Sequence, residues 1–163
     1  KRTDSYSLPV PPSPNLPNDK AIQLYPALCF FEATPISIGR GTEYAFQVIG
    51  HDKIFVGDFS FTPVAMPYSA PYPKLKNKLA KGLDLRTSNI KGLDLTPFYQ
   101  WFSMFQQKET IFFERAEFLD KLAGTDKLRL AMMADQSPAQ IKESWQLGLK
   151  SFKQKRLPYL LYK

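Results

Sequence analysis

The spacing of apolar residues changes near position 96. Before it, apolar residues come in short runs or alternate with polar ones; after it they recur every three or four positions. The first pattern predicts strands and the second helices. Residues 27–32 (ALCFFE), 44–49 (YAFQVI), 55–64 (FVGDFSFTPV) and 81–86 (KGLDLR) have strand length and β-rich composition. In the third, Phe59 and Phe61 alternate with Asp58, Ser60 and Thr62, which predicts one buried face. Residues 50–53 (GHDK) read as a turn, 67–78 as a long proline and lysine loop, and 92–95 as the close of this half. Ahead of the strands, five prolines in residues 8–17 (LPVPPSPNLP) predict an extended strip, since each fixes φ and removes a donor. Its PxxP spacing has no adjacent basic anchor, so it reads as a stiff segment lying along a neighbouring surface. Asn18-Asp19-Lys20 then offers a cap for a short helix over 21–25, ended by Pro26.

In the second half, Thr96-Pro97 is a helix start, and Phe98, Trp101, Phe102 and Phe105 follow at i, i+3, i+4 and i+7, one apolar stripe meant for a core. Helices are expected over 113–122 and 126–133, the latter capped by Thr125. Ser137-Pro138-Ala139-Gln140 is a capping box. It opens a helix carrying Ile141, Trp145, Leu149 and Phe152, with Gly148 a weak point, and the tail 158–162 (PYLLY) is expected to dock on the core. Strands first and helices after predict an α+β fold: a small mixed sheet from the N-terminal half packed by C-terminal helices. The expected layout is a proline-rich linker strip at 1–20 and a single α+β domain at 21–163.

Composition narrows the chemistry. The chain has 163 residues, enough for one domain with a sizeable core. No apolar stretch approaches the ~20 residues a membrane-spanning helix needs. Cys29 is the one cysteine, so an intramolecular disulfide and Cys-based zinc sites are excluded, and its LCFF setting predicts a buried structural thiol. His51 is the one histidine, which excludes multi-His metal sites; it reads as a turn residue rather than a base. No metal and no cofactor are expected. A net charge of +7 permits anionic partners. The lysines are dispersed apart from 73–81 and 150–156, the latter run reads as a solvated helix face, and no nucleic-acid-binding motif is present, so nucleic acid is not an expected partner. A proline-studded start at Lys1 reads as the interior of a longer or processed chain.

The stretch with chemical potential is FFEATPISIGRGTEYAF, residues 30–46. Gly39 and Gly41 can take positive φ, so neighbouring N–H groups can converge on an anion. Arg40 between them offers a planar charged fork for a carboxylate or phosphate. Thr34, Ser37 and Thr42 add hydroxyls, and Glu32 can accept from sugar hydroxyls, act as an acid or base, or pin Arg40. An anionic, polyhydroxylated ligand fits that set. A tight connection in which Glu32 and Arg40 simply pair fits it equally well.

The segments LYPALCFFEATPISIGRGTEYAFQVIG (24–50), KGLDLR (81–86), FFERAEFLDKLAGTDKLR (112–129) and IKESWQLGLKSFKQKRLPYLLY (141–162) carry a resemblance. The chain resembles the C-terminal portion of the NamZ-type exo-β-N-acetylmuramidases, a family long catalogued as a domain of unknown function. The resemblance implies a peptidoglycan-directed glycosidase, active in cell wall recycling, that removes N-acetylmuramic acid from non-reducing ends. It implies a cleft shared with an N-terminal Rossmann-like domain that supplies the principal acid/base carboxylate, and a periplasmic or secreted location. Under it, Arg40 with Gly39 and Gly41 would meet the lactyl carboxylate or acetamido group, with Glu32, Thr34, Ser37 and Thr42 lining the same cleft. Glu32 is a catalytic candidate, and Asp84 and Arg86 are weaker binding candidates. A non-catalytic domain that binds anionic glycans or only stabilises its partner is the alternative. The chain departs from the family at Glu32-Ala33-Thr34-Pro35, where Glu-Gly-Thr-Asn is common, and at 78–81, where a cysteine often precedes the GVDLR-like strand.

Overall fold

Leu24, Ala27, Leu28 and Phe31 recur at helical spacing and all four are buried. They draw the chain into helix α1 (Asp19–Leu28), which the Asn18 side chain caps by accepting from the Ala21 amide at 2.9 Å. The computed structural model describes Asp4 and residues 6–161. Pro26 lies inside α1 rather than ending it. The missing N–H removes one hydrogen bond, and burial of the apolar face outweighs that loss. The strand expected over 27–32 is therefore absent. Those residues finish α1 and form a 3-10 turn, Cys29–Ala33, that carries Phe30 and Phe31 into the core. Cys29 is half-buried rather than buried, and its thiol reaches toward the Pro26 carbonyl at 3.8 Å.

Three short strands, β1 (Val48–His51), β2 (Phe59–Phe61) and β3 (Ala80–Asp84), form a sheet of order β1–β3–β2. Both pairings are antiparallel, so the sheet is not mixed, while the α+β class holds. The strands are shorter than the pattern predicted. Residues 44–47 turn before β1, and Ile54 and Val56 leave the β2 segment for the main core. Phe61 is buried, Phe59 half-buried and Ser60 exposed, as alternation required. Val48, Phe61 and Ala80 pack on one face, while Ile49 faces the main core.

Helix α2 (Thr96–Gln107) buries its predicted stripe, Phe98, Trp101, Phe102 and Phe105, in full. Phe31 meets Phe98 edge-on at 5.0 Å and Phe112 packs on Phe98 at 5.1 Å, so an aromatic cluster joins the 3-10 turn to α2. Helices α3 (Ala116–Ala123) and α4 (Lys127–Met133) are clamped by Arg129 and Asp120, whose bidentate bonds measure 2.7 and 3.0 Å. Arg115, just before α3, donates its amide to the Ala33 carbonyl at 3.1 Å.

The Ser137–Gln140 capping box forms as predicted at the start of α5 (Pro138–Ser144). The long helix expected beyond it breaks at Trp145 into α5 and α6 (Gln146–Arg156). No α6 residue is buried. Leu149 and Phe152 are exposed, as are Tyr159 and Leu161, so the described part of the tail does not dock on the core. Periodicity alone does not bury a helix; it needs a facing surface, and the described residues offer α6 none. We expect α6 amides to exchange with deuterium within seconds to minutes, while α2 amides follow global unfolding. Hydrogen-exchange mass spectrometry checks this, and equal protection of the two helices would refute it.

Candidate anion-binding site

The 3-10 turn sets Glu32 at the rim of a cavity, and the chain then returns beside the sheet. Ser37 and Gly50 exchange both backbone hydrogen bonds, each 2.9 Å, so residue 37 extends the sheet beyond β1. The Gly39-Arg40-Gly41 loop follows with φ of +78° at Gly39 and +85° at Gly41. A Cβ at Gly39 would lie 2.5 Å from the Tyr44 carbonyl oxygen, and one at Gly41 2.6 Å from that of Val64. The glycines are thus required by the protein's own backbone.

That packing consumes much of the expected anion nest. The Gly39 amide donates to Ser37 Oγ at 3.3 Å, and the Thr42 amide and hydroxyl both donate to the Gly39 carbonyl at 3.0 and 2.7 Å. Thr42 Oγ1 also accepts from the Tyr44 amide at 3.0 Å. Thr34 is buried, donates to the Phe31 carbonyl at 2.8 Å and accepts from the Ile36 amide. Thr34, Gly39, Gly41 and Thr42 therefore shape the loop, and none of them lines the cavity. Asp84 and Arg86 lie elsewhere, at the end of β3 and just after it, paired bidentately at 2.7 to 3.1 Å. The Arg86 guanidinium stacks over Tyr44 at 4.3 Å, and its hydrogen bonds hold the Asp84 carboxyl below the usual carboxylate range.

Glu32, Ser37 and Arg40 do meet in a cavity of about 270 Å³, joined by Tyr72, Lys74 and Arg115. Arg40 Nη1 lies 3.7 Å from the Glu32 carboxylate and Nη2 3.4 Å from the Ser69 carbonyl. Arg40 Nε is buried and has no hydrogen-bond partner among the described residues. A buried donor left unpaired is costly, and the part of the guanidinium open to a ligand is the remainder of the side chain, 40% exposed. Arg40, Lys74 and Arg115 outnumber Glu32, so the cavity attracts anions.

Lys74 and Arg115 escaped the sequence reading. Lys74 looked like one of several lysines in a loop, but its ammonium hydrogen-bonds the carbonyls of Phe31 (2.8 Å), Glu32 (3.0 Å) and Thr34. It closes the C-terminal end of the 3-10 turn, where carbonyls lack partners. Burial pulls its pKa down to about 8. The signal available was the proline on its N-terminal side, Pro73, which is buried and holds the loop against the Gly41 turn. Arg115 is brought in by its amide bond to Ala33, and its guanidinium stacks over Phe118 at 4.3 Å. Among the described residues, no group of three or more His, Cys, Asp or Glu side chains is placed to hold a metal ion.

Residues 23–162 match the family model described as exo-beta-N-acetylmuramidase NamZ, C-terminal. The chain belongs to this family. The peptidoglycan beta-N-acetylmuramidase NamZ of Bacillus subtilis (strain 168) is 29% identical over 98% of this chain and 42% of its own length. A DUF1343 family protein of Bacteroides fragilis NCTC 9343 superimposes on the whole chain with a TM-score of 0.88 at 39% identity, over 46% of its own length. A second DUF1343 protein of that organism shares the fold, with a TM-score of 0.72 at 17% identity over 94% of this chain and 45% of its own. The chain thus spans less than half the length of these relatives. Of its departures from the NamZ-type pattern, the two within residues 32–35 fall in different places. Ala33, where glycine is common, packs in the core, whereas Pro35 lines a second, larger cavity.

Proposed function

We propose that this chain forms one wall of the sugar-binding cleft of a peptidoglycan-directed exo-glycosidase, and that its cationic cavity receives the lactyl carboxylate of a terminal N-acetylmuramic acid. The Arg40 guanidinium, part-exposed in a cavity it shares with Lys74, Arg115 and one carboxylate, carries this reading. The Glu32–Arg40 contact of 3.7 Å is long for an ion pair, so Arg40 can exchange it for a bidentate grip on a ligand carboxylate. The freed Glu32 then accepts from a sugar hydroxyl. Family membership and the Bacillus subtilis relative support the substrate class. Peptidoglycan lies outside the cytoplasmic membrane, so the proposal includes a periplasmic or secreted location and a part in cell wall recycling.

Most glycoside hydrolases pair an acid that protonates the leaving oxygen with a second carboxylate that acts as nucleophile or base, around an oxocarbenium-like transition state. The cavity offers one carboxylate, Glu32. In the two-carboxylate scheme the partner comes from elsewhere, in keeping with an N-terminal domain facing this wall. The chain alone is therefore expected to bind without turnover, which is the non-catalytic reading restricted to the isolated domain.

Titrating the chain with N-acetylmuramic acid and with N-acetylglucosamine isolates the lactyl carboxylate. We expect the muramic sugar to bind at least tenfold tighter, and Arg40→Gln to remove that preference. Equal affinities, or a preference unchanged by Arg40→Gln, would overturn the assignment.

A further inference from the structure

The proline-rich strip ahead of α1 is fastened to a loop beside the candidate anion site. Leu16 packs against the main core, and its amide closes a tight turn on the Ser13 carbonyl at 2.9 Å. Inside that turn the Asn15 amide donates to Ser13 Oγ at 3.2 Å. The Asn15 side chain then reaches a loop 54 residues away in sequence, where Nδ2 donates to the Ser69 carbonyl at 2.7 Å. Arg40 Nη2 donates to the same carbonyl at 3.4 Å. One oxygen thus receives a hydrogen bond from the strip and another from the guanidinium of the cavity.

Ser69 sits in a loop that burial does little to hold. Met66 and Ala70 exchange backbone hydrogen bonds of 2.9 Å across the turn, and Ala70 alone is buried among residues 64–72. Tyr68 and Tyr72, on either side of Ser69, are exposed, so their rings add no burial. The Asn15 orientation is set by its donor, because the reversed amide would present Oδ1 to a carbonyl oxygen. Oδ1 itself is buried and has no hydrogen-bond partner among the described residues. A buried acceptor left unpaired is costly, so the bond to Ser69 outweighs what the other half of the amide loses. At 3.4 Å the Arg40 bond is near the limit for N–H···O, and a small shift of the carbonyl breaks it.

We propose that Asn15 is a positioning residue for the anion site: by fixing the Ser69 carbonyl it fixes the guanidinium that meets the ligand. Arg40 is held between two acceptors, Glu32 on Nη1 at 3.7 Å and Ser69 on Nη2. With the Ser69 contact gone, the guanidinium settles on Glu32, and an arginine closed on its own carboxylate is a poorer partner for a ligand carboxylate. The strip that leads into the domain is thereby part of the site, although it lines none of the cavity. The consequence for binding rests on the reading of this cavity as the anionic-sugar site; the hold of Asn15 on Arg40 does not.

Asn15→Leu removes the donor, and the unpaired Oδ1 with it, at nearly constant side-chain volume, so the Tm should stay within about 3 °C of wild type. Arg40 Nε is buried, so its N–H exchanges slowly enough with water to give an NMR signal of its own. In Asn15→Leu we expect that signal to shift and to exchange faster. Affinity for N-acetylmuramic acid should fall about fivefold, and affinity for N-acetylglucosamine should not change. In an Arg40→Gln background the same substitution should alter neither affinity, because Asn15 acts through Arg40. Asn15→Ala should repeat the Arg40 response, and it decides the matter if the leucine variant does not fold. Shifts confined to the backbone amides of residues 13–16 and 69–70, with the Arg40 signal in place, would overturn the inference and leave Asn15 a fastening for the strip. A loss of affinity that persists in the Arg40→Gln background overturns it as well. If the wild-type chain binds N-acetylmuramic acid no better than N-acetylglucosamine, the anionic-sugar reading falls, and the Arg40 signal alone decides whether Asn15 positions it.

Discussion

Replacing Lys74 by methionine is expected to destabilise the chain by about 3 kcal/mol, because it strands three carbonyls that the ammonium now satisfies. Methionine keeps the apolar stem, so the loss reports the ammonium and not the packing. For a chain of this size the shift in Tm is roughly 6–12 °C. Urea denaturation checks it, and an unchanged midpoint would show that water replaces the ammonium at no cost. Under the proposed function the same group is expected to make anion binding pH-dependent. Burial lowers the Lys74 pKa to about 8. Below that pH the ammonium is present, above it one cation of the cavity is lost, and a ligand carboxylate is ionised throughout. Affinity for N-acetylmuramic acid should therefore fall between pH 7 and pH 9. Lys74→Arg should hold its charge across that range, and a wild-type profile flat through pH 8 would refute the assignment.

Gly82→Ala is expected to cost about 3 kcal/mol and to loosen the Arg40 loop, although Gly82 lies outside the cavity. Gly82 pairs with Gly50 across β1 and β3, and a Cβ on it would sit 2.0 Å from the Ile49 carbonyl oxygen and 2.8 Å from Gly50 Cα. Both obstacles are backbone, so the only relief is to part β1 from β3. Strand β1 also holds Ser37 through the Gly50 bridge, and Ser37 leads directly into Gly39 and Arg40. Amide shifts at 37–40 should accompany the drop in stability. Gly148→Ala is the control. A Cβ there meets nothing within 4 Å, and the change should stabilise α6 slightly, by up to about 1 kcal/mol. If Gly82→Ala unfolds at the wild-type denaturant concentration, the sheet does not position the loop in the way described.

Local signals in the second half were legible because each acts within one turn of helix. The Phe98–Phe105 stripe and the Ser137 capping box formed as read, since a 3.6-residue period and a reciprocal cap need no distant partner to be recognised. The reading erred where tertiary burial overrode local grammar. Pro26 looked like a stop, yet Leu24, Ala27, Leu28 and Phe31 keep helical spacing across it, and that spacing was present in the sequence. The helical period across the proline outweighs the proline as a local signal. Conversely, Leu149 and Phe152 keep a helical period, and among the described residues no surface buries them.

The candidate site divides the same way. By itself the sequence picked out three residues that line this cavity, Glu32, Ser37 and Arg40, and the need for positive-φ backbone on both sides of the arginine. Those follow from residue type and from spacing within ten positions. Only the tertiary structure decided that Thr34 and Thr42 spend their hydroxyls on the loop, that Asp84 and Arg86 close on each other, and that Lys74 and Arg115 complete the cavity. The physical reason is that hydrogen-bond donors go to whichever acceptor is nearest in space. For Lys74 those acceptors are carbonyls some forty residues back along the chain, a proximity that no local pattern encodes.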